Sequence, residues 1–465
     1  MNAGGLGDQL NELLTEALHE PVTVTDLSRL PAGASKETWS FAVGTADGST
    51  RRLVLRRDRA VSAESTMRLE AALLEAADRA GVPVPRVVSS GVGGPLERPY
   101  LVTEFVDGET IPRRILRDDR FAEARAGFAR QCGTILAAVH RISAEAIPGL
   151  RGGDPLAQLR RQVDQFGQSH PAFELAFRWL QGARPVRGAD GVVHGDFRNG
   201  NLIVDESGIG AVLDWELAHR GDPIEDLGWL CVKAWRFGGS GPVGGMGSIE
   251  DLLSGYAAGG GDPVDLAALD WWIVFGTLRW GVICIAQAMT HLAGVVRSVE
   301  LAAIGRRVCE VEWDLLQLLD AAEQPGDLVL ADHPVQPESP IPLEEGPRSP
   351  HDVPSLVQLL VAVGEFLESD VLAATEGRVR FHARVAANVV AMATREIELG
   401  AGQAAAHAVR LERLGVENEA ELAAAIRRGA FDDRMATLRQ AVRATVAEKL
   451  AVAHPGYTDG ATGER

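Results

Sequence analysis

The sequence predicts an α+β protein: a small antiparallel β lobe, a larger helical lobe and a separate all-α domain at the C-terminus. Three observations lead there. Residues 20–105 alternate short β-like runs with one helix. Residues 106–323 are mostly helical in pattern, apart from a compact β-rich passage from Gly191 to Trp215. Seven prolines between 324 and 351 then separate these regions from a further helical stretch. At 465 residues the chain exceeds the usual single core, so two or three domains are expected. The boundaries read as 1–105 for the small lobe, 106–323 for the large lobe, 324–351 for a linker, 352–452 for the helical domain and 453–465 for a flexible tail.

In the small lobe, Val22–Leu30, Thr38–Gly44, Leu53–Arg56, Arg86–Ser90 and Tyr100–Glu104 have strand composition. Ala63–Ala80 reads as a helix ended by Gly81 and Pro83. In the proline-rich stretch, the missing N–H donors exclude a regular helix or central strand, which leaves an extended linker. Beyond it, Leu356, Leu359, Leu360, Val363, Phe366 and Leu367 recur at helical spacing as an amphipathic stripe. Asp352 and Pro354 suit a helix start, and Gly400 and Gly415 suit stops.

Bulk properties narrow the function classes. A formal charge of −18 argues against a nucleic-acid partner, which requires a basic footprint. The four cysteines form no C-x-x-C pair and read as small buried apolar residues in a reducing compartment. Residues 1–14 lack a secretory pattern, so a cytoplasmic location is expected. The apolar stretch from Trp271 to Val296 is interrupted by Arg279, Gln287 and His291, as suits a buried helix better than a membrane span.

The chemistry concentrates in Val192–Val204, which reads VVHGDFRNGNLIV, and in Ala211–Glu216, which reads AVLDWE. One apolar strand delivers His194-Gly195-Asp196 into a loop, and Asn201 follows just before a second strand. A turn at Glu206-Ser207-Gly208 returns the chain as a third strand ending at Asp214. The hairpin therefore predicts Asn201 and Asp214 near one another, with Asp196 on the adjoining loop. Phosphoryl transfer needs positioning and charge neutralisation more than covalent help. A carboxylate to take the acceptor's proton and hard oxygen ligands for magnesium are the required types, and Asp196, Asn201 and Asp214 supply them.

These motifs resemble the aminoglycoside phosphotransferase and choline kinase-like family, relatives of the protein kinases. His194-Gly195-Asp196 with Asn201 resembles its catalytic loop. Asp214-Trp215-Glu216 resembles its metal-binding segment, and Gly221–Leu227 the stretch that follows. The likeness covers roughly residues 20–320 and is strongest to kinase-like domains fused to acyl-CoA dehydrogenases. It implies a bilobal protein-kinase-like fold that uses ATP and Mg2+, with Asp196 as base and Asn201 and Asp214 as metal ligands. Arg198 would lie near the γ-phosphate. Glu216 departs from the protein-kinase glycine, and whether it meets metal, substrate or solvent stays open.

In that resemblance the small lobe holds the nucleotide. Val54 and Arg56 share one strand face, which would set Val54 against the adenine and Arg56 beside the phosphates. Arginine replaces the family's usual lysine there. Glu70 lies on the apolar stripe of its helix between Met67 and Leu74 and is the expected partner of Arg56. Between the first two strands, Gly33, Ser35 and Thr38 belong to a small-residue loop whose N–H and hydroxyl groups suit phosphate oxygens. Glu104, Phe105 and Val106 resemble the hinge that meets the adenine edge. His140 matches a helix end common in the family, with a structural role near the catalytic loop.

The expected function is transfer of phosphate from ATP to a hydroxyl of a small molecule, with a hydroxyacyl coenzyme A thioester favoured over an aminoglycoside. A catalytically weak kinase-shaped scaffold that binds nucleotide is the competing expectation. For the C-terminal helices, packing on the kinase lobes, homodimerisation and binding of a regulator all remain open.

Overall fold

The alternation in strand β3, Thr50–Asp58, sorts the small lobe into two faces. Leu53, Leu55 and Arg57 are buried on one side, whereas Val54 and Arg56 lie half-buried on the other. β3 is central in an antiparallel sheet with β1 (Thr23–Leu30), β2 (Lys36–Gly44), β4 (Val87–Gly91) and β5 (Tyr100–Glu104), in the order β1-β2-β3-β5-β4. Its register with β2 pairs Thr38 with Arg56 and Ser40 with Val54, which puts all four on one face. This computed structural model describes residues 3–30, 36–45, 48–58, 67–186, 190–323 and 355–459. Gly33, Ser35, the linker at 324–351 and the expected helix start at Asp352 therefore lie outside the described residues.

The sheet's other face is covered by an element that the strand-and-helix reading omitted. Helix α1, Ala3–Leu18, places Leu6, Leu10, Leu13 and Leu14 at helical spacing against Phe41, Val43, Leu53 and Leu55. Helix α2, Met67–Arg79, follows β3 and buries Met67, Glu70, Leu73 and Leu74.

The β-rich passage forms two small pairs. β6 (Gly191–Val193) pairs antiparallel with β9 (His219–Gly221), and β7 (Leu202–Val204) with β8 (Ile209–Val212). Asp205 Oδ1 accepts from the amides of Ser207 and Gly208 and thereby shapes the β7–β8 turn. Helix Ala122–His140 packs against helix Ile249–Ala258 at Gly133, where a Cβ would lie 2.1 Å from the carbonyl of Leu252. All four cysteines are free and buried.

The chain divides into two compact units, 1–153 with 185–273 and 154–184 with 274–465. This differs from the boundaries expected from sequence. Helices Pro155–Phe166, Pro171–Gly182 and Val308–Glu323, expected in the large lobe, belong to the same unit as the C-terminal helices. Apolar complementarity is the reason: Ala172, Leu175, Trp313 and Leu316 share one core with Leu411, Leu438, Val442 and Leu450. The family-like pattern at 106–323 recorded chain order, whereas burial follows which faces match.

Three further expectations change. Gly400 does not stop a helix, since Gly377–Leu414 runs through it and ends at Gly415 (φ 76°). Helix Leu356–Phe366 begins on a Ser355–Gln358 capping box, but its stripe is not buried as a whole. Leu360 is half-buried, while Leu356, Leu359, Val363 and Phe366 stay exposed. The tail expected from 453 includes a helical turn at Tyr457–Asp459, whose Tyr457 packs on the second unit's core and donates to Asp314 Oδ2 at 2.7 Å. Helix Leu266–Leu292 is the one helix among the described residues long and apolar enough to cross a bilayer. Trp271, Trp272, Phe275 and Trp280 on it are buried within the protein.

Candidate active site

Asp196, Asn201 and Asp214 are gathered by the β7–β8 ladder and the loop before it. The Leu202–Val212 pair continues outward through the amide of Leu213, which donates to the carbonyl of Asn201 at 2.8 Å. Asn201 and Asp214 are thus fixed at the same end of the hairpin. The side-chain Nδ2 of Asn201 donates to Asp196 Oδ2 at 2.6 Å and to the Asp196 carbonyl at 3.0 Å, closing the loop between them. Asp196 Oδ1 accepts from Trp229 Nε1 at 2.9 Å and from Arg198 Nε at 3.0 Å. Three donors therefore hold this carboxylate in one orientation. The Arg198 guanidinium is held in turn over the Trp235 ring, 4.6 Å from its centre.

The loop itself hangs from a residue to which the sequence reading gave no role. Asp226, fully buried on helix Ile224–Cys231, accepts the His194 amide at 2.7 Å and the Gly195 amide at 2.9 Å. His140 Nε2 lies 3.2 Å from the same carboxylate, and its Nδ1 2.9 Å from the Tyr256 hydroxyl. Burial alone would raise the Asp226 carboxyl, but the hydrogen bond and charge of His140, with His194, carry it below its ordinary value. Asp226 is thus an anion that orients two successive amides. The adjacent pair Glu225-Asp226 inside an otherwise apolar turn was the available signal. His140 occupies the structural position that the resemblance implied.

His194 is neutral by construction. Its Nε2 lies 3.0 Å from the carbonyl of Leu213 and must carry the proton, while its Nδ1 accepts the Asp196 amide at 3.2 Å. Burial depresses its basicity, only partly offset by Asp226 and Asp196. The imidazole therefore ties the Asp196 loop to the strand end that presents Asp214. Gly195 makes the turn possible: its φ is 77°, and a Cβ there would lie 2.5 Å from the carbonyl of Leu217.

Asp214 is the least satisfied acid of the group. It adopts a left-handed backbone, φ 64°, which is uncommon for a residue other than glycine. Its Oδ1 is buried without a hydrogen-bond partner, and Arg56 Nη2 stands 3.5 Å away. Burial first, then the charge of Glu216, raises its carboxyl above the ordinary range, against the pull of Arg56. An oxygen so placed suits a hard cation. Among the described residues no cluster of three or more His, Cys, Asp or Glu side chains forms a ready-made metal site. A donor pair of Asn201 and Asp214 instead fits an ion that keeps waters and phosphate oxygens in its shell.

The expected Arg56–Glu70 pair is present, with Arg56 Nη1 on Glu70 Oε1. Glu70 is 1% exposed, as the inward face of its helix predicted. Val54 and Thr38 lie on the same sheet face as Arg56. Glu104 ends β5 and pairs with Arg51 at 2.8 Å, and Val106 follows half-buried. A residue missed from sequence also converges here. Lys36, at the start of β2, is 8% exposed and lies 3.1 Å from Glu70 Oε2 and 2.9 Å from Glu216 Oε2.

Comparison with known proteins fits this geometry. A family described as the phosphotransferase enzyme family matches residues 26–272, and a domain of unknown function (DUF6285) matches 373–457. The acyl-CoA dehydrogenase family member 10 of Mus musculus is 26% identical over 300 residues, covering 57% of this chain. The chain spans about a quarter of that curated relative's length, 27%. Among solved structures, a Ralstonia eutropha protein classed as an aminoglycoside phosphotransferase superposes with a TM-score of 0.54 at 22% identity. That match covers 66% of this chain and 97% of the other. A choline/ethanolamine kinase family protein from Mesorhizobium loti is similar at a TM-score of 0.46 and 18% identity, over 64% of this chain and 90% of its own. With a kinase-like fold and a family match across more than half its length, the chain belongs to the phosphotransferase enzyme family.

Proposed function

We propose that the chain transfers the γ-phosphoryl group of ATP to a hydroxyl of a small molecule in the presence of magnesium. The observation that carries this reading is the enclosed Oδ1 of Asp214, which has Arg56 at 3.5 Å but no hydrogen bond, at the hairpin end that also presents Asn201, with Asp196 tied to Asn201. In it, Asp196 accepts the acceptor hydroxyl's proton, its orientation fixed by Trp229, Arg198 and Asn201. Asn201 and Asp214 would hold the metal. Magnesium, when bound, supplies charge neutralisation for the phosphates. Arg198 contributes positive charge beside Asp196, where the transferred group would pass. Arg56, with Val54 and Thr38, would frame the nucleotide on one sheet face, and the backbone at Glu104 and Val106 would meet the adenine edge.

The acceptor we favour is a hydroxyacyl group carried as a coenzyme A thioester, supported by the likeness to the acyl-CoA dehydrogenase family member. The decisive experiment is a screen of the purified chain with labelled ATP against hydroxyacyl thioesters, amino sugars and amino alcohols. Transfer that requires magnesium and disappears in Asp196→Asn supports the reading. Full activity in that variant would remove Asp196 from the role of base. One observation favours a second reading, a nucleotide-binding scaffold of weak activity: Arg56 stands 3.5 Å from Asp214 and can neutralise it without metal. Magnesium-independent thermal stabilisation by nucleotide, with no transfer to any acceptor, would select it.

A further inference from the structure

We propose that Lys36 is a second phosphate-binding cation of the nucleotide site, so that the work of one lysine is divided between adjacent strands. The inference rests on the nucleotide reading above and deepens it. It begins with register. Lys36 lies two residues before Thr38, the cross-strand partner of Arg56, so Lys36 and Arg56 project from the same face of the sheet. It also stands at the very start of β2, where the chain leaves the small-residue loop between the first two strands.

The contacts are asymmetric in an informative way. Glu70 offers one oxygen to each cation, Oε1 to Arg56 and Oε2 to Lys36. The two cations then diverge, Arg56 towards Asp214 at 3.5 Å and Lys36 towards Glu216 at 2.9 Å. Each therefore links helix α2 to a different carboxylate of the Asp214–Glu216 segment. A lysine only 8% exposed carries a desolvation cost that a surface ion pair would avoid. An ammonium has three N–H donors, of which the two carboxylates take two. The third suits a phosphate oxygen, a point-charge contact that Arg56, with its planar fork engaged by Glu70 and Asp214, is less free to make. When nucleotide binds, Glu70 and Glu216 keep the Lys36 ammonium in place and its third N–H turns to phosphate.

The test compares binding of AMP and of the non-hydrolysable ATP analogue AMP-PNP, both with magnesium, by calorimetry on the full chain. In Lys36→Met the preference for AMP-PNP over AMP should fall at least tenfold, while AMP affinity stays within about twofold. Lys36→Gln, which keeps hydrogen bonding without charge, should show the same loss and serves where the methionine variant does not fold. Equal weakening of both ligands, or an unchanged preference in the folded variants, would make Lys36 a structural clamp and overturn the proposal while leaving the kinase reading intact. Failure of the unaltered chain to bind either nucleotide would overturn both.

Discussion

Acidic side chains are enclosed in both units of this molecule, but one in the first unit is answered less completely than those of the second. In the second unit the buried acids are saturated. Glu312, 1% exposed, meets His170 at 3.0 Å and Lys449 at 3.4 Å. Glu174 receives two-pronged contacts from both Arg160 and Arg427. Burial would raise both carboxyls, yet these partners carry each below its ordinary value. In the first unit Asp226 is answered in the same way, but half-buried Asp214 keeps an enclosed Oδ1 with Arg56 at 3.5 Å and no hydrogen bond, and its carboxyl is raised. A charge that is fully answered holds a fold together, whereas one left partly unanswered is available to a ligand.

Substitutions can break this contrast, beginning with the largest effect. Asp196→Asn should lower phosphoryl transfer by at least ~1,000-fold while nucleotide affinity and melting temperature hold, as turnover and calorimetry would reveal. Glu312→Ala should do the reverse. Removing this buried carboxylate takes a shared partner from His170 and half-buried Lys449, and should cost about 1–2 kcal/mol in denaturant unfolding of the second unit, with no change in nucleotide affinity. A smaller effect sharpens the comparison within the first unit. The Asp270 carboxyl is pushed up to about 6 by burial and by the charge of Asp265. Between the unfolded value near 4 and this folded value, the native state holds a proton that the unfolded chain releases, so stability falls as pH rises through that window. Asp270→Asn should flatten the decline and add about 1 kcal/mol at neutral pH, read as urea midpoints across a pH series.

Legibility followed the range of the interactions. Asp196, Asn201 and Asp214 could be read because one short hairpin holds them, and a strand period with a turn signal locates both ends. Glu70 could be read because helical spacing showed it facing inward. Lys36 could not, because its partners lie 34 and 180 positions away and its neighbours read as a loop. Only its period-two relation to Thr38 and Ser40 hinted at the shared face. Asp226 was harder to read for the same reason, since its two amide donors lie 31 and 32 positions upstream and its local sign was limited to the acidic pair Glu225-Asp226 in an apolar turn. The helices at 155–182 and 308–323, which share a core with the C-terminal helices, show the complementary limit: periodicity finds an apolar face but not its partner.

The left-handed backbone at Asp214 restricts the alphabet available at that position. Asparagine tolerates the conformation and glycine prefers it, whereas valine or isoleucine would meet a steric penalty before any question of chemistry arose. Drift at this site should therefore run through those two residues. A descendant carrying asparagine there would retain the turn and lose the charge in a single nucleotide change.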